Sequence, residues 1–158
     1  MAALYEVKMS IKDDFEEIMN HTHFWNWLPD WGVVQDVYKA FPNSYSILTP
    51  FAYAYLEELI RSTTSEYGLE VFDEAGDPKR RKVGIGLISL AIDENNNNRD
   101  YVALLEKAKA YFVFSKPTDV GDNRNSVAHG YMHPRFWDEE SFEQLLHDIA
   151  VLSKYARF

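Results

Sequence analysis

The chain of 158 residues predicts an all-α fold, a bundle of about five to seven helices forming one domain over residues 1–158. Three observations lead there. Apolar residues recur at three- and four-residue spacing through most of the chain. Caps, prolines and glycines punctuate those stripes at helix-sized intervals. No internal repeat and no clear pair of alternating strands joined by a hairpin signal interrupts them.

Taken in order, Ser10 is placed to cap a first helix with Asp13 and Asp14 in its first turn and Ile11, Phe15, Ile18, Met19 and Thr22 in register. Pro29 is expected to end it. Asp30 then caps a shorter helix carrying Trp31, Val34, Val37, Tyr38 and Phe41, stopped by Pro42. Thr49-Pro50 reads as a start, a capping hydroxyl followed by proline at the first helical position. Ala52, Tyr55, Leu56, Leu59, Ile60 and Thr63 form its stripe, and Gly68 fits the exit. "VGIGLISLAI" has a length that suits a buried strand or a helix, and Val83, Leu87, Leu90 and Ala91 favour helix. Asp100 is expected to cap the next helix, with Tyr101, Leu104, Leu105, Ala108 and Phe112 in register. After the break "SKPTDVGD", Asp122 or Asn123 caps a short segment. Ser141 and Gln144 suggest a capping box for the last helix, which carries Phe142, Leu145, Leu146, Ile149 and Leu152.

Composition narrows the function. Hydrophobic residues make up 46% and charged residues 26%, as in an ordinary globular domain. Aromatics reach 15%, concentrated in "HFWNWLPDW" and "PFAYAYL", which suits core packing or a dimer surface. A net charge of −9 argues against a general nucleic-acid coat, because such proteins carry a wide basic field. DNA is not expected as a partner, and any RNA contact must be local. The absence of cysteine removes disulfides, thiol catalysis and cysteine zinc sites. The start "MAALYEVKMSIKDDF" lacks the pattern of a signal peptide, and no apolar run approaches the roughly 18 residues of a membrane span. A cytoplasmic protein without a membrane anchor is expected.

The densest chemistry lies in "NRNSVAHGYMHP", residues 123–134. Asn125 and His129 are four apart and share a helix face. Arg124 and His129 are five apart, about 140° around a helix, so they are not stacked neighbours. Histidine moves protons near neutral pH, and arginine presents a charged fork that matches phosphate oxygens. Asn125 is suited to orient a sugar hydroxyl or the imidazole. The alternative is structural: Arg124 pairs with Asp122 or with a neighbouring helix, and His129 is a helix-end histidine.

"RNSVAHG", ahead of a terminal amphipathic helix in a small helical chain, resembles the signature of the HEPN superfamily, and in particular its small stand-alone or Apea-like domains. That signature is an arginine, a polar residue and a histidine a few positions on, matched here by Arg124, Asn125 and His129. Gly130 is similar to the ending found in several branches. The resemblance implies metal-independent RNA cleavage in active members. It implies two protomers whose motifs face each other across a homodimer, with no cofactor, and a setting in toxin–antitoxin, phage-defence or RNA-processing systems where an antitoxin or other partner is a separate chain. Inactive members serve as binding or dimerisation modules. On this reading Arg124, Asn125 and His129 are catalytic, and Arg124, His133 and Arg135 bind substrate.

Other signals rank lower. His21 and His23 point to different sides of a helix. His129 and His133 have the spacing of a zinc pair, but Gly130 and Pro134 interrupt the helix and no acidic third ligand is evident, so no metal is expected. Glu57 and Glu58 lie mid-helix and are expected to face solvent or pair with Arg61, with a site role for one of them as an alternative that no other signal supports. Ser126 lies near His129 without a nucleophile-elbow motif. Lys79, Arg80, Arg81 and Lys82 form a basic loop that reads as a solvated turn.

Overall fold

A computed structural model describes residues 10–68 and 72–158; the N-terminal stretch that carries no signal-peptide pattern lies largely outside them. Among the described residues there are seven α-helices: α1 Ile11–His21, α2 Leu28–Ala40, α3 Tyr45–Arg61, α4 Gly84–Glu94, α5 Arg99–Ala108, α6 Arg124–Ala128 and α7 Glu139–Ser153. Single 3-10 turns lie at Pro42–Ser44, Lys109–Phe112 and Pro134–Phe136. One isolated bridge joins Phe72 to Pro78, and no strand forms among the described residues. The expected all-α bundle is what the chain folds into.

α3 is the axis of the bundle. It packs against α7, α4 and α6. Its buried residues, among them Leu48, Ala52, Tyr53, Leu56, Leu59 and Ile60, fall on more than one face, as a helix surrounded by others requires. α1 packs on α7 and α2, and α4 on α5. A single apolar cluster draws residues from all seven helices, including Phe15, Trp31, Leu56, Ile88, Leu105, Val127 and Leu146. Full burial of one such side chain contributes roughly 1.5–3 kcal/mol. The aromatic runs are only partly core. Trp31, Tyr53 and Tyr55 are core residues, whereas Phe24 and Trp25 are 74% and 70% exposed.

Several boundaries differ from expectation. The first helix does not run to Pro29. It ends at His21, where Thr22 takes extended backbone. Pro29 lies in the first turn of α2, where its missing N–H costs nothing, and Trp27 at φ 61 precedes that helix in place of Asp30. α3 begins before Thr49, leaving Pro50 inside it. Proline there removes one hydrogen bond to the previous turn, and burial on several sides outweighs that local loss. Thr49 donates its hydroxyl to the Tyr45 carbonyl, 2.7 Å away, and is not a cap. Asn98 replaces Asp100 as the cap of α5, accepting from the Tyr101 amide at 3.2 Å. Asp138 caps α7 through the Ser141 amide at 2.8 Å, and Gln144 bonds Asp148, so the expected Ser141–Gln144 box does not form. The competing short polar side chain stood two residues earlier at α5 and three residues earlier at α7.

Candidate functional site

α6 has five residues, too few to be stable alone, and is held by its ends. Asn123 is 2% exposed. Its Oδ1 accepts from the Asn125 and Ser126 amides at 2.9 and 3.3 Å. Its Nδ2 donates to the Val113 and Phe114 carbonyls, both at 3.2 Å. One side chain thus caps the helix and ties it to the segment after α5. At the other end Gly130 adopts φ +61. Its amide donates to Val127 O and the Tyr131 amide to Ser126 O, at 3.4 and 3.0 Å, the paired bonds of a Schellman ending. The Gly-Tyr break after His129 is therefore a helix stop.

That placement sets Arg124 against α3. Its Nε lies 2.5 Å from Glu57 Oε1, with side-chain exposures of 22% and 10%. The contact is an ion pair without an aligned N–H bond, since Oε1 has no partner by hydrogen-bond geometry. Nη1 reaches Asn125 Oδ1 at a long 3.4 Å. Asn125 in turn donates Nδ2 to Val113 O at 3.0 Å, so its amide braces the helix and the arginine. Beside this pair an open cleft of about 470 Å³ is lined from α3 by Pro50, Tyr53, Ala54, Glu57 and Arg61, from α6 by Arg124, Val127 and Ala128, and by Val83. Tyr53 fixes the floor by donating to Gly121 O at 2.9 Å. Burial pushes its phenol far above the ordinary range, with Asp122 and Asp119 adding to the shift.

Arg61 is 8% exposed. It binds Glu58 Oε2 through Nη1 at 3.0 Å and Lys82 O through Nη2 at 2.9 Å. The pairing with Glu58 follows the sequence expectation, but Glu57 does not face solvent. It is 7% exposed because α6 covers that side of α3. The Lys82 contact also brings the end of the basic loop to the cleft, with the Lys82 amide held by both oxygens of Glu66 at 3.2 and 3.0 Å.

The remaining expected residues lie elsewhere. His129 is exposed at the C-cap of α6; its ring makes no hydrogen bond or ion pair among the described residues, and it does not line the cleft. His133 Nδ1 accepts from the Arg135 amide at 3.1 Å, and the Arg135 guanidinium sits 4.6 Å from the Phe136 ring centroid. That pair caps the Pro134–Phe136 turn. Ser126 is fully buried. No group of three histidine or acidic side chains suited to a metal ion occurs among the described residues, and no helix there is long and apolar enough to cross a membrane. Sequence reasoning gave Glu57 a site role only as an unsupported alternative, and missed Arg61 as a cleft residue. Their signal was weak, a Glu-Glu-x-x-Arg run read as a solvated helix face.

Fold and site together define an all-α bundle with a charged cleft between its central helix and a short capped one. Comparison with protein-family models, with curated proteins and with solved structures finds no match.

Proposed function

We propose that the protein is a HEPN-like, metal-independent RNA endonuclease. The observation that carries this reading is the division of the motif by α6: Arg124 lines the cleft while His129 stands exposed at the other end of the same helix. Over five residues the helix rises about 7.5 Å. His129 is open to reach a ligand, or the cleft of a second protomer. In the reaction the ribose 2′-oxygen attacks phosphorus, the bond to the 5′-oxygen breaks, and a cyclic phosphate and a 5′-hydroxyl result. Arg124 stabilises the charge developing on the phosphoryl oxygens, and His129 carries a proton to or from the reacting oxygens. Asn125 holds Arg124. RNA is the substrate, with a separate antitoxin or partner chain restraining the activity.

A specific contact favours the second reading, a silent dimerisation or partner-binding module: Glu57 already balances the charge of Arg124. Incubation of the purified protein with mixed RNA in EDTA separates the two. The expected result is cleavage to cyclic-phosphate ends, lost in His129→Ala with the helical circular dichroism unchanged. Intact RNA after incubation with wild type, across varied sequences, rejects the enzyme in favour of the module.

A further inference from the structure

The charged groups of the cleft nearly cancel. Arg61 and Arg124 face Glu57 in the lining, and Glu58 pairs with Arg61. A bare anion gains little from such a set, because every step toward Arg124 also approaches the Glu57 carboxylate. A ligand group that carries a hydrogen-bond donor beside an anion gains from both. Glu57 approaches Arg124 Nε through Oε1, and its Oε2 enters no hydrogen bond among the described residues. Arg124 is likewise part-used: Nε faces Glu57, Nη1 makes the long contact to Asn125, and Nη2 donates to no described residue. The pair therefore offers one free carboxylate oxygen next to free guanidinium donors, on an open cleft wall.

We propose that the Glu57–Arg124 pair recognises a ribose 2′-hydroxyl together with its adjacent 3′-phosphate, Glu57 Oε2 accepting from the hydroxyl while Arg124 donates to the phosphate. This deepens the ribonuclease reading and rests on it for the choice of RNA. It makes Glu57 the residue that distinguishes RNA from DNA. The neighbouring hydroxyl and phosphate are the donor and the anion that the pair requires. A deoxyribonucleotide supplies only the anion, which Glu57 opposes.

The test needs no turnover. Ribonucleoside 3′-phosphates, with their 2′-deoxy, 2′-fluoro and 2′-O-methyl counterparts, are titrated into the full-length protein while the arginine Nε–Hε signals are followed by NMR, that of Arg124 assigned with Arg124→Lys. The ribonucleotides are expected to bind about tenfold more tightly than the three analogues, none of which has the donor, as loss of a hydrogen bond to a charged acceptor implies. The Arg124 signal is expected to move. In Glu57→Gln, which keeps an acceptor but loses its charge, the preference is expected to fall to roughly threefold. Equal binding of ribose and deoxyribose by wild type overturns the proposal, as does a response confined to other arginines. If Glu57→Gln does not fold, the wild-type comparison with the fluoro and methyl analogues decides alone. RNA cleavage without ribose preference leaves the enzyme standing and removes Glu57 from recognition. Ribose preference without cleavage does the reverse.

Discussion

Arg124 reaches Glu57 through Nε and leaves Nη2 without a described acceptor, so its charge holds α6 to α3 while part of its fork stays free. Lysine at this position keeps a charge for Glu57 but loses the planar fork. Arg124→Lys is expected to fold and to lose turnover by roughly 2–4 kcal/mol, the scale of removing one oxyanion donor. Neutralising Lys79 and Arg80 is expected to weaken RNA binding modestly and to flatten its salt dependence, since such contacts act by counterion release. Single-turnover rates and a salt titration of the two variants check this. Full activity in Arg124→Lys with loss in the loop variant would move the site to the loop; an unfolded Arg124→Lys would make the arginine structural.

A second residue-scale prediction concerns Asp14, 2% exposed and 3.1 Å from His147 Nδ1. Burial raises its carboxyl above the ordinary 3.8, and the His147 hydrogen bond and charge only partly oppose that. Folding therefore tightens the hold of Asp14 on its proton. Its favourable contribution is complete below pH 3.8 and is lost as pH rises through the higher folded-state value. Stability measured by urea unfolding is expected to shift in favour of wild type, relative to Asp14→Asn, as the pH falls from neutral into the carboxylate range. A shift the other way would mean that the His147 contact outweighs burial.

At the scale of the element, α6 depends on Asn123. Capping bonds to two amides and tethering bonds to two carbonyls come from one buried amide. Asn123→Ala removes the cap, at about 1 kcal/mol, and the two tethering bonds to Val113 O and Phe114 O, at about 0.5–1.5 kcal/mol each. A total loss of roughly 2–4 kcal/mol in chemical denaturation is expected. If the site reading holds, cleavage falls as well, because Arg124 is placed by this helix. By contrast Ser10 caps α1 at an exposed end through a reciprocal bond with Asp13, so Ser10→Ala is expected to cost about 1 kcal/mol without touching the site. A cap variant at Asn123 no worse than that at Ser10 would show that packing of Val127, not the cap, holds α6.

Across the whole molecule, large apolar side chains remain outside the core. Phe114, in the segment whose carbonyls anchor α6, is 93% exposed, and Val83 and Ile85 at the start of α4 are 58% and 48% exposed. A twofold dimer, the commonest oligomer, would cover such residues, and on the HEPN-like reading it sets the motifs of two protomers facing each other. Light scattering at tens of micromolar is expected to report a dimer. A monomer would count against a site shared between protomers and would leave the single-chain cleft as the place to look.

The sequence by itself determined the helical class, the apolar stripes and the short segment that carries Arg124 and His129. Stripe periodicity is a local property, and the residues that set it are adjacent along each helix. It also determined Asn123 as one of two candidate caps and Gly130 as the stop, because capping and left-handed backbone need only near neighbours. Tertiary structure decided what lies opposite. Pro50 sits inside α3 because burial on several sides outweighs one missing hydrogen bond. Glu57 and Arg61, mid-helix charges by local pattern, became cleft walls because α6 and the segment before α4 close over them from 67 and 21 positions away. A charge at a helix surface has no local mark that says which distant element will cover it, and that covering, not the helix, determines whether it meets water or Arg124.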